Sequence, residues 1–389
     1  MSRRGRAVTL LSMHEVKERR ATMLGFQPPG IGDEEIAAVS ETLRSGWLTT
    51  GPRAAELERR MADYLEAEHV LALASGTAAL HLSLVALGVG PGDEVITTPI
   101  TWPATANVIV HSGATPIFVD VREDDLNIDP LRAAEAVTER TKAILPVDLA
   151  GQPADLDPIM ELGLPVIEDA AHAAESRYRG RKIGGIADVT CFSLYATKNI
   201  AAGEGGLIST NRADVAEAVR DLRLMRRGDG SRYDIPVPGY KANLSDVLAA
   251  IALCQLDKVD RHAEIRARQF AAYDEAVAEL DGITPLARDD RDVHALHLYV
   301  IRIDAQAAGA SRDEYQQALA EENIATSIHF LPVHTLTWYR ERFPDQPSLP
   351  VAERAGDEVL SLPLSPAHSD DDIADVIAAL RRVHERFTG

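Results

Sequence analysis

The sequence predicts an α/β protein, with a mostly parallel sheet in a large domain and a smaller α+β domain after it. Between residues 69 and 210, short and nearly continuous apolar runs alternate with helical or turn-rich segments. Strands of this composition are typical of a parallel sheet that helices cover on both faces. From residue 244 onward, a long helical pattern leads into a shorter mixture of strands and helices. The change of pattern predicts the second domain.

Each strand of the large domain is predicted from an apolar run, and together they indicate a sheet of the seven-stranded type. The first run begins at His69 and precedes a Ser-Gly-Thr turn, after which the residues up to 87 have a helical pattern. The other predicted strands are 93–98, 115–121, 142–151, 164–171, 188–195 and 205–210. A small-residue turn with one lysine, Lys198, joins the last two.

A long helix is predicted over 244–280, because its apolar stripe fades into charge, as in a helix that leaves a core. The small domain is predicted to contain a strand at 297–304, a helix at 311–323, a strand at 324–330 and a terminal helix from about Asp370. We place the limits at 1–24 for a basic N-terminal arm, 25–255 for the large domain, and 256–389 for the long helix with the small domain.

Composition and charge exclude several classes of protein. The chain has 389 residues, 46% of them apolar and 26% charged, so it can bury a large core. With 60 acidic against 40 basic residues, its formal charge of −20 repels nucleic acids and anionic lipids. No apolar run reaches the ~18 residues of a membrane span, and the first apolar segment is too short for a secretory signal. Two cysteines, Cys191 and Cys254, cannot form a disulfide framework. We expect a cytoplasmic protein with reduced thiols.

Three features at predicted strand ends each have a chemical and a structural interpretation. The turn Ser75-Gly76-Thr77 opens a helix, so it either holds a phosphate or only caps that helix. Asp169 ends a strand at the sheet edge where α/β folds bind ligands, although such aspartates are common. Trp102 either covers a flat cofactor or packs on the core. None of the three decides the function alone.

Lys198, taken together with these three features, favours the chemical interpretation of each. A lysine among apolar and small neighbours has its pKa lowered by desolvation, which makes a nucleophilic amine available near neutral pH. An amine, an acid, a flat aromatic and a phosphate seat together meet the requirements of pyridoxal 5'-phosphate, PLP. The "GEGG" turn at 203–206 either lets the backbone pass close to this site or simply turns the chain.

An ordered set of motifs resembles one family over roughly residues 25–385. The motifs read "SGTAALHLSL", "GPGDEVITTPITWPATANVIVHSGATPIFVDV", "VDLAGQPAD", "PVIEDAAHA", "FSLYATKNIAAGEGG" and "PGYKANLSD". They are similar to those of the DegT/StrS sugar-nucleotide aminotransferases, which have PLP fold type I. The details "TW", "EDAAH" and "GYKANLSD" look most like the branch that aminates C4 of a UDP-4-keto-pentose. A branch that acts on 4-keto-6-deoxyhexose nucleotides is nearly as similar.

The resemblance implies roles for individual residues. Lys198 matches the lysine to which PLP is attached and which then moves a proton, and Asp169 matches the carboxylate that keeps the pyridine nitrogen protonated. His172 matches a residue beside the phenolic oxygen, with a packed histidine as the alternative. The residues that match contacts to the ring face and the phosphate are Trp102, Gly76, Thr77, Ser193 and Asn243. Asn243 matches an asparagine that reaches the partner subunit's phosphate, which implies a homodimer with shared active sites.

Residues for the sugar are also implied by the resemblance. His329 and His334 match a region that faces the diphosphate of the nucleotide sugar. Arg227 stands where the pentose branch usually has a histidine. Arg226, Arg227 and Arg232 are candidates to bind the α-carboxylate of glutamate, with an ordinary surface role as the alternative for each. We expect no metal, because His294 and His297 are three apart near a strand, where they point to opposite faces, and no cysteine is near.

The implied reaction moves an amino group from L-glutamate to the C4 keto group of a nucleotide-linked sugar. Three other functions are considered, and each is distinguished from the aminotransferase by one feature. The dehydratases of the family carry a histidine in place of the lysine, whereas this chain has Lys198. A nicotinamide enzyme needs a G-x-G-x-x-G turn before a helix, which "SGTAAL" lacks. A regulatory protein on the same fold would bind PLP without turnover.

Overall fold

The computed structural model describes residues 18–225, 235 and 237–389, and a seven-stranded sheet forms the centre of its large domain. A three-stranded and a four-stranded segment make up this sheet, and parallel bridges between Ile144 and Val166 and between Val147 and Asp169 join them. The first nine strands are β1 (His69–Leu73), β2 (Glu94–Thr97), β3 (Thr115–Phe118), β4 (Thr141–Leu145), β5 (Ile167–Asp169), β6 (Arg177–Tyr178), β7 (Arg181–Lys182), β8 (Val189–Ser193) and β9 (Gly206–Thr210). The short strands β6 and β7 form a separate hairpin.

The strand order across the sheet is β3-β2-β4-β5-β8-β9-β1. All neighbours are parallel except β9, which is antiparallel to both β8 and β1. The prediction of a mostly parallel sheet is therefore confirmed. Six strands have their carboxyl ends at the same edge of the sheet. Folds of this kind bind ligands at the carboxyl ends of their parallel strands.

Twelve α-helices lie in the described part of the chain. They are α1 (Asp33–Ser45), α2 (Pro52–Leu65), α3 (Gly76–Ala86), α4 (Ala104–His111), α5 (Pro130–Glu135), α6 (Leu156–Met160), α7 (Ala213–Leu222), α8 (Asp246–Val277), α9 (Arg312–Glu321), α10 (Thr337–Arg342), α11 (Pro350–Glu358) and α12 (Asp370–Thr388). Short 3₁₀ turns occupy Leu149–Gly151 and Val333–Thr335. None of the helices described is both long and apolar enough to cross a membrane.

Helices cover both faces of the sheet, which explains why its strands are apolar at nearly every position. Ile167 belongs to the core that α3, α4 and α7 cover, whereas its neighbour Val166 belongs to the core under α2 and α8. We call these two sides the α3 face and the α2 face. Successive strand residues point to opposite faces, so this assignment also places the polar residues that follow in β5.

The small domain is a three-stranded antiparallel sheet that packs against helices. Its strands are β10 (Ile283–Pro285), β11 (Tyr299–Ile303) and β12 (Val359–Leu362), and they lie in chain order. The end of α8 contributes Tyr273 to its core, while Leu253 of the same helix is in the core of the large domain. Helix α8 therefore belongs to both cores, as the fading apolar stripe predicts. The terminal helix α12 begins at Asp370, as expected.

Two parts of the prediction differ from the structure. Segment 324–330 is not a strand, because only Ile324 and Ser327 make single bridges, to Leu24 and Ser361, before the chain leaves the sheet. Strands β10 and β12 were not predicted. The described end of the N-terminal arm is docked, because Arg20 forms ion pairs with two aspartates of α12 and residue 24 pairs with the small domain.

Candidate active site

The predicted lysine lies in the turn that joins β8 to β9 at the open edge of the sheet. Backbone bonds close the turn, since Lys198 N–H donates to the carbonyl of Tyr195 at 2.9 Å and Ala202 N–H to Leu194 at 2.8 Å. The side chain is half-buried. Burial lowers the pKa of the Lys198 ammonium to about 8, although the charge of Asp169 opposes the shift. About a tenth of this amine is therefore unprotonated at pH 7, far more than for a lysine of ordinary pKa.

Asp169 ends β5 on the α3 face and is held by two donors. Thr105 Oγ1 donates to its Oδ2 at 2.8 Å, and the N–H of Ala171 donates to its Oδ1 at 3.2 Å. Burial raises the pKa of Asp169, while these two hydrogen bonds and the charge of Lys198 lower it. Asp169 and Lys198 are thus electrostatically coupled, as their positions at neighbouring strand ends predict.

His172 follows Asp169 by three residues and is buried in a group of rings. Its ring centroid lies 4.5 Å from that of His297 and 6.0 Å from that of Phe330. The N–H of Ala150 donates to Nδ1 at 3.3 Å. Burial, followed by the charges of Lys198 and His329, holds the pKa of His172 well below its usual range. A neutral ring that accepts at Nδ1 carries its proton on Nε2, so His172 is a hydrogen-bond donor at that atom.

A buried polar chain runs outward from this group, and the sequence did not indicate it. His297 Nδ1 donates to Asn199 Oδ1 at 2.9 Å, and Asn199 Nδ2 donates to Glu175 Oε2 at 2.8 Å. Glu175 in turn pairs with Arg266 of α8, whose side chain is 1% exposed. Asn199 directly follows Lys198, so the chain connects the lysine turn to the long helix. His297 is far from these residues in sequence, and no local spacing marks it.

A tightly packed backbone region lies beside the amino end of α3. Ser75 caps the helix, with its Oγ accepting from Ala78 N–H at 3.0 Å, and the N–H groups of Gly76 and Thr77 have no acceptor inside the helix. A Cβ on Gly76 would lie 3.1 Å from Ser193 Cβ, and one on Gly206 would lie 2.3 Å from the carbonyl of Ser75. The "GEGG" turn therefore lets the backbone pass close to this helix end.

Trp102 follows the end of β2 and faces outward. Its side chain is 66% exposed, and its ring centroid is 6.3 Å from that of Phe330. The alternative in which Trp102 packs on the core is therefore wrong. A flat, exposed aromatic next to the His172 group is available to cover a bound ring.

Asn243 lies in the segment before α8, where it bridges to Leu73 at the end of β1. Its Nδ2 donates to the hydroxyl oxygens of Thr49 and Thr50 at 2.9 and 2.7 Å, and its Oδ1 accepts from Lys241. These neighbours belong to an exposed loop between α1 and α2 that also carries Trp47.

The residues predicted for the sugar lie in different places. His329 Nδ1 shares a hydrogen bond with Ser361 Oγ at 2.9 Å, and burial together with Lys198 lowers its pKa to about 4. His334 is placed against Phe118 and Glu353, with Nε2 3.3 Å from Glu353 Oε1.

His329 therefore lies near Lys198 and His172, whereas His334 packs against Phe118 and Glu353. The three predicted arginines, Arg226, Arg227 and Arg232, lie outside the described residues. Within the described ranges, no three histidine, cysteine or acidic side chains are arranged to hold a metal ion.

The donor set at this edge fits PLP. The amino end of α3 offers the N–H groups of Gly76 and Thr77, which have no acceptor inside the helix, to a phosphate. A buried carboxylate, a neutral imidazole and an amine of lowered pKa lie at the same edge of the sheet and act on one another electrostatically. These are the groups that a pyridine nitrogen, a phenolic oxygen and an aldehyde need. The fold and the site together define a PLP-dependent aminotransferase of fold type I.

Comparison with known proteins gives the family. Residues 29–381 match the DegT/DnrJ/EryC1/StrS aminotransferase family, and the chain belongs to it. The spore coat polysaccharide biosynthesis protein SpsC of Bacillus subtilis (strain 168) is 45% identical over 383 residues, which cover 94% of this chain and 98% of SpsC.

Solved structures agree with this assignment. Spr1654 from Streptococcus pneumoniae, solved in PMP and PLP forms, is 35% identical with a TM-score of 0.88, and the match to its PMP form covers 94% of this chain and 98% of the other. DesV from S. venezuelae, solved with a ketimine intermediate, is 37% identical with a TM-score of 0.85, covering 91% and 95%. DesI, solved in the presence of its TDP-sugar product, is 33% identical with a TM-score of 0.86, covering 94% of both chains.

Proposed function

We propose that this sugar aminotransferase moves the amino group of L-glutamate to the C4 keto group of a nucleotide-linked 4-keto sugar, either a pentose or a 6-deoxyhexose. The observation that supports the proposal is the electrostatic coupling of the Lys198 amine to the Asp169 carboxylate, at the edge of the sheet where β5 and β8 end. The nucleotide-linked sugar is supported by the likeness to DesI, whose structure contains a TDP-sugar product.

Lys198 is the proposed proton carrier. Bound PLP supplies an electron sink that makes the α-hydrogen of an amino acid acidic. Lys198 Nζ removes this proton from the donor and later returns one to the sugar carbon, since general bases work best with a pKa near the operating pH. The lowered pKa of about 8 suits both steps.

Asp169 and His172 are the proposed partners of the ring. Asp169 would accept a hydrogen bond from the protonated pyridine nitrogen, and the bonds that it accepts from Thr105 and Ala171 fix the orientation of its carboxylate. His172 donates from Nε2 to the phenolic oxygen, because Ala150 already occupies Nδ1.

We propose that residues at the amino end of α3 bind the phosphate and that an aromatic side chain covers the ring. The N–H groups of Gly76 and Thr77, with the hydroxyls of Thr77 and Ser193, hold the phosphate, and Trp102 covers the ring. Among the sugar-side candidates, His329 contributes as a neutral donor rather than as a cation, because its pKa is lowered to about 4. His334 and Arg227 are proposed from the resemblance alone.

We also propose a homodimer in which Asn243 reaches the phosphate held by the partner subunit. The proposal is supported by the exposed apolar side chains near the Asn243 loop, which include Trp47, Leu48 and Tyr240. Mixing inactive Lys198→Ala with inactive Asn243→Ala protein tests it. Activity recovered on mixing supports shared sites, whereas a monomeric protein in light scattering refutes the dimer.

The first experiment is an absorbance spectrum of the protein with PLP, before and after L-glutamate is added. We expect a band of lysine-bound PLP that moves to shorter wavelength as pyridoxamine phosphate forms, and we expect no such band in Lys198→Ala. A panel of UDP- and dTDP-linked 4-keto sugars should then restore the first band for the true acceptor. Turnover by Lys198→Ala at the wild-type rate would refute the assignment of Lys198.

A further inference from the structure

Two buried carboxyl groups lie directly behind Asp169, on the other face of the sheet. Glu168 is the preceding residue of β5, and alternation therefore places its side chain on the α2 face. Asp148 follows the end of β4, one residue after Val147, which is opposite Asp169. Alternation again places the Asp148 side chain on the α2 face. Both residues have zero relative exposure.

In each of these carboxyl groups, one oxygen accepts a hydrogen bond and the other has no hydrogen-bond donor in the described part of the chain. Ala154 N–H donates to Asp148 Oδ1 at 2.9 Å, and Thr190 Oγ1 donates to Glu168 Oε2 at 2.8 Å. Asp148 Oδ2 and Glu168 Oε1 have no hydrogen-bond donor among the described residues. The two carboxyl groups are also close enough for a side-chain hydrogen bond between Asp148 and Glu168. Two buried carboxylates at this separation are strongly unfavourable, because they repel and neither is solvated. One proton between the two free oxygens removes both problems.

We propose that Asp148 and Glu168 share one proton and together act as positioning residues for Asp169. The shared proton satisfies both free oxygens and leaves the pair with a single negative charge. The Asp148 backbone N–H donates to the carbonyl of Asp169 at 3.1 Å, so a side-chain pair that fixes the position of Asp148 also fixes the strand end that carries Asp169. The positioning role rests on the proposed function of Asp169, whereas the shared proton does not.

The electrostatic surroundings agree with this arrangement. Burial, followed by the charge of Glu168, raises the pKa of Asp148 well above its usual range, and burial raises the pKa of Glu168 to about 7. The other titratable groups that interact with the pair are Asp169 in β5 and the thiol of Cys191 in β8, and both lie on the opposite face of the sheet. Asp169 is acidic and further favours retention of the proton.

Infrared difference spectroscopy of the apoenzyme tests the shared proton. At neutral pH, the wild type minus Asp148→Asn should show the carbonyl stretch of a protonated carboxyl, because an asparagine amide replaces the proton and leaves Glu168 ionised. Glu168→Gln should change the same band, because it replaces the carboxylate that accepts the shared proton. Glu94→Gln is the control, since this buried carboxyl is paired with Arg140 and has a lowered pKa. A wild-type spectrum without the band, or one that neither variant changes, overturns the proposal.

Urea unfolding of the same apoenzymes provides a second measurement. A raised folded-state pKa means that the folded protein keeps a proton that the unfolded chain has released, so this contribution to stability is lost as pH rises. Between about pH 6 and 8, the unfolding constant of the wild type should rise relative to Asp148→Asn, by at most about tenfold per pH unit. A ratio independent of pH contradicts the shared proton.

The positioning role is tested by comparing Asp148→Asn with Asp148→Ala in the glutamate half-reaction. Asparagine keeps the hydrogen bonds and should retain the wild-type rate. Alanine leaves Glu168 without a partner and should lower the maximum rate of the half-reaction at least about tenfold, with little change in the glutamate concentration that gives half of that rate. Equal rates in the two variants overturn the positioning role. A wild type that ignores glutamate refutes the proposed function instead, and the infrared result still stands.

Discussion

Gly206→Ala is expected to weaken PLP binding because the added methyl group has no space. Gly206 opens β9 against the amino end of α3, and a Cβ there would lie 2.3 Å from both the carbon and the oxygen of the Ser75 carbonyl and 2.6 Å from the N–H nitrogen of Gly76. All three are backbone atoms, so no side chain can rotate away. The helix end and the proposed phosphate seat must therefore move.

The expected size follows from the energetics of overpacking. Inserting a methyl group into a well-packed region costs typically about 1–3 kcal/mol. If the bound state bears this cost because the phosphate needs the original backbone position, the Kd for PLP rises roughly five- to 150-fold, at about 1.4 kcal/mol per factor of ten. The apoenzyme should lose less stability, since without the ligand the helix end is free to shift.

The assay is a PLP titration of the apoenzyme, followed by absorbance, together with thermal unfolding with and without PLP. Gly90→Ala is the matched control, because a Cβ there meets nothing within 4 Å and its backbone needs no positive φ. Wild-type PLP affinity in Gly206→Ala would refute the link between close packing and the phosphate seat. A loss of equal size in Gly90→Ala would show that the effect is not specific.

Three further outcomes follow from the site. Thr105→Val removes the hydrogen bond to Asp169 and should raise the pKa of that carboxyl and slow the glutamate half-reaction by roughly tenfold, as measured by stopped-flow absorbance. Glu175→Gln leaves the buried Arg266 charge without its partner and should cost about 3–5 kcal/mol in urea unfolding, whereas an unchanged midpoint would contradict the buried pair. The rate of PLP capture by the apoenzyme should rise with pH through about 8, because only the unprotonated Lys198 amine attacks; a midpoint near the ordinary lysine pKa would contradict the lowered value.

The sequence predicted those parts of the fold that local patterns specify. Buried parallel strands are apolar on both faces, so β1 to β5, β8 and β9 all stand out as continuous runs. Segment 324–330 was predicted as a strand on similar grounds, but it makes only two single bridges, at Ile324 and Ser327. Propensity alone does not distinguish a paired strand from an extended crossing segment.

The site was predictable where its residues end neighbouring strands. Lys198, Asp169 and His172 come together because parallel strands end at one edge. His297 and Arg266 reach the same group from distant parts of the chain, and only the packing of the small domain and α8 reveals them. The Asp148–Glu168 pair was missed for a different reason: composition counts both residues as charged, and nothing local signals their complete burial.

The single reversed strand of the sheet has a mechanical consequence for the lysine. A parallel successor to β8 would need a crossover that passes over a face of the sheet, usually as a helix. Because β9 runs antiparallel instead, residues 194–205 return directly to the adjacent position and are anchored by a strand at each end. Lys198 therefore lies on a span that a strand anchors at each end, which limits how far its amine can move before any ligand binds. An insertion in this span would lengthen the tether and should slow PLP capture even with every contacting side chain intact.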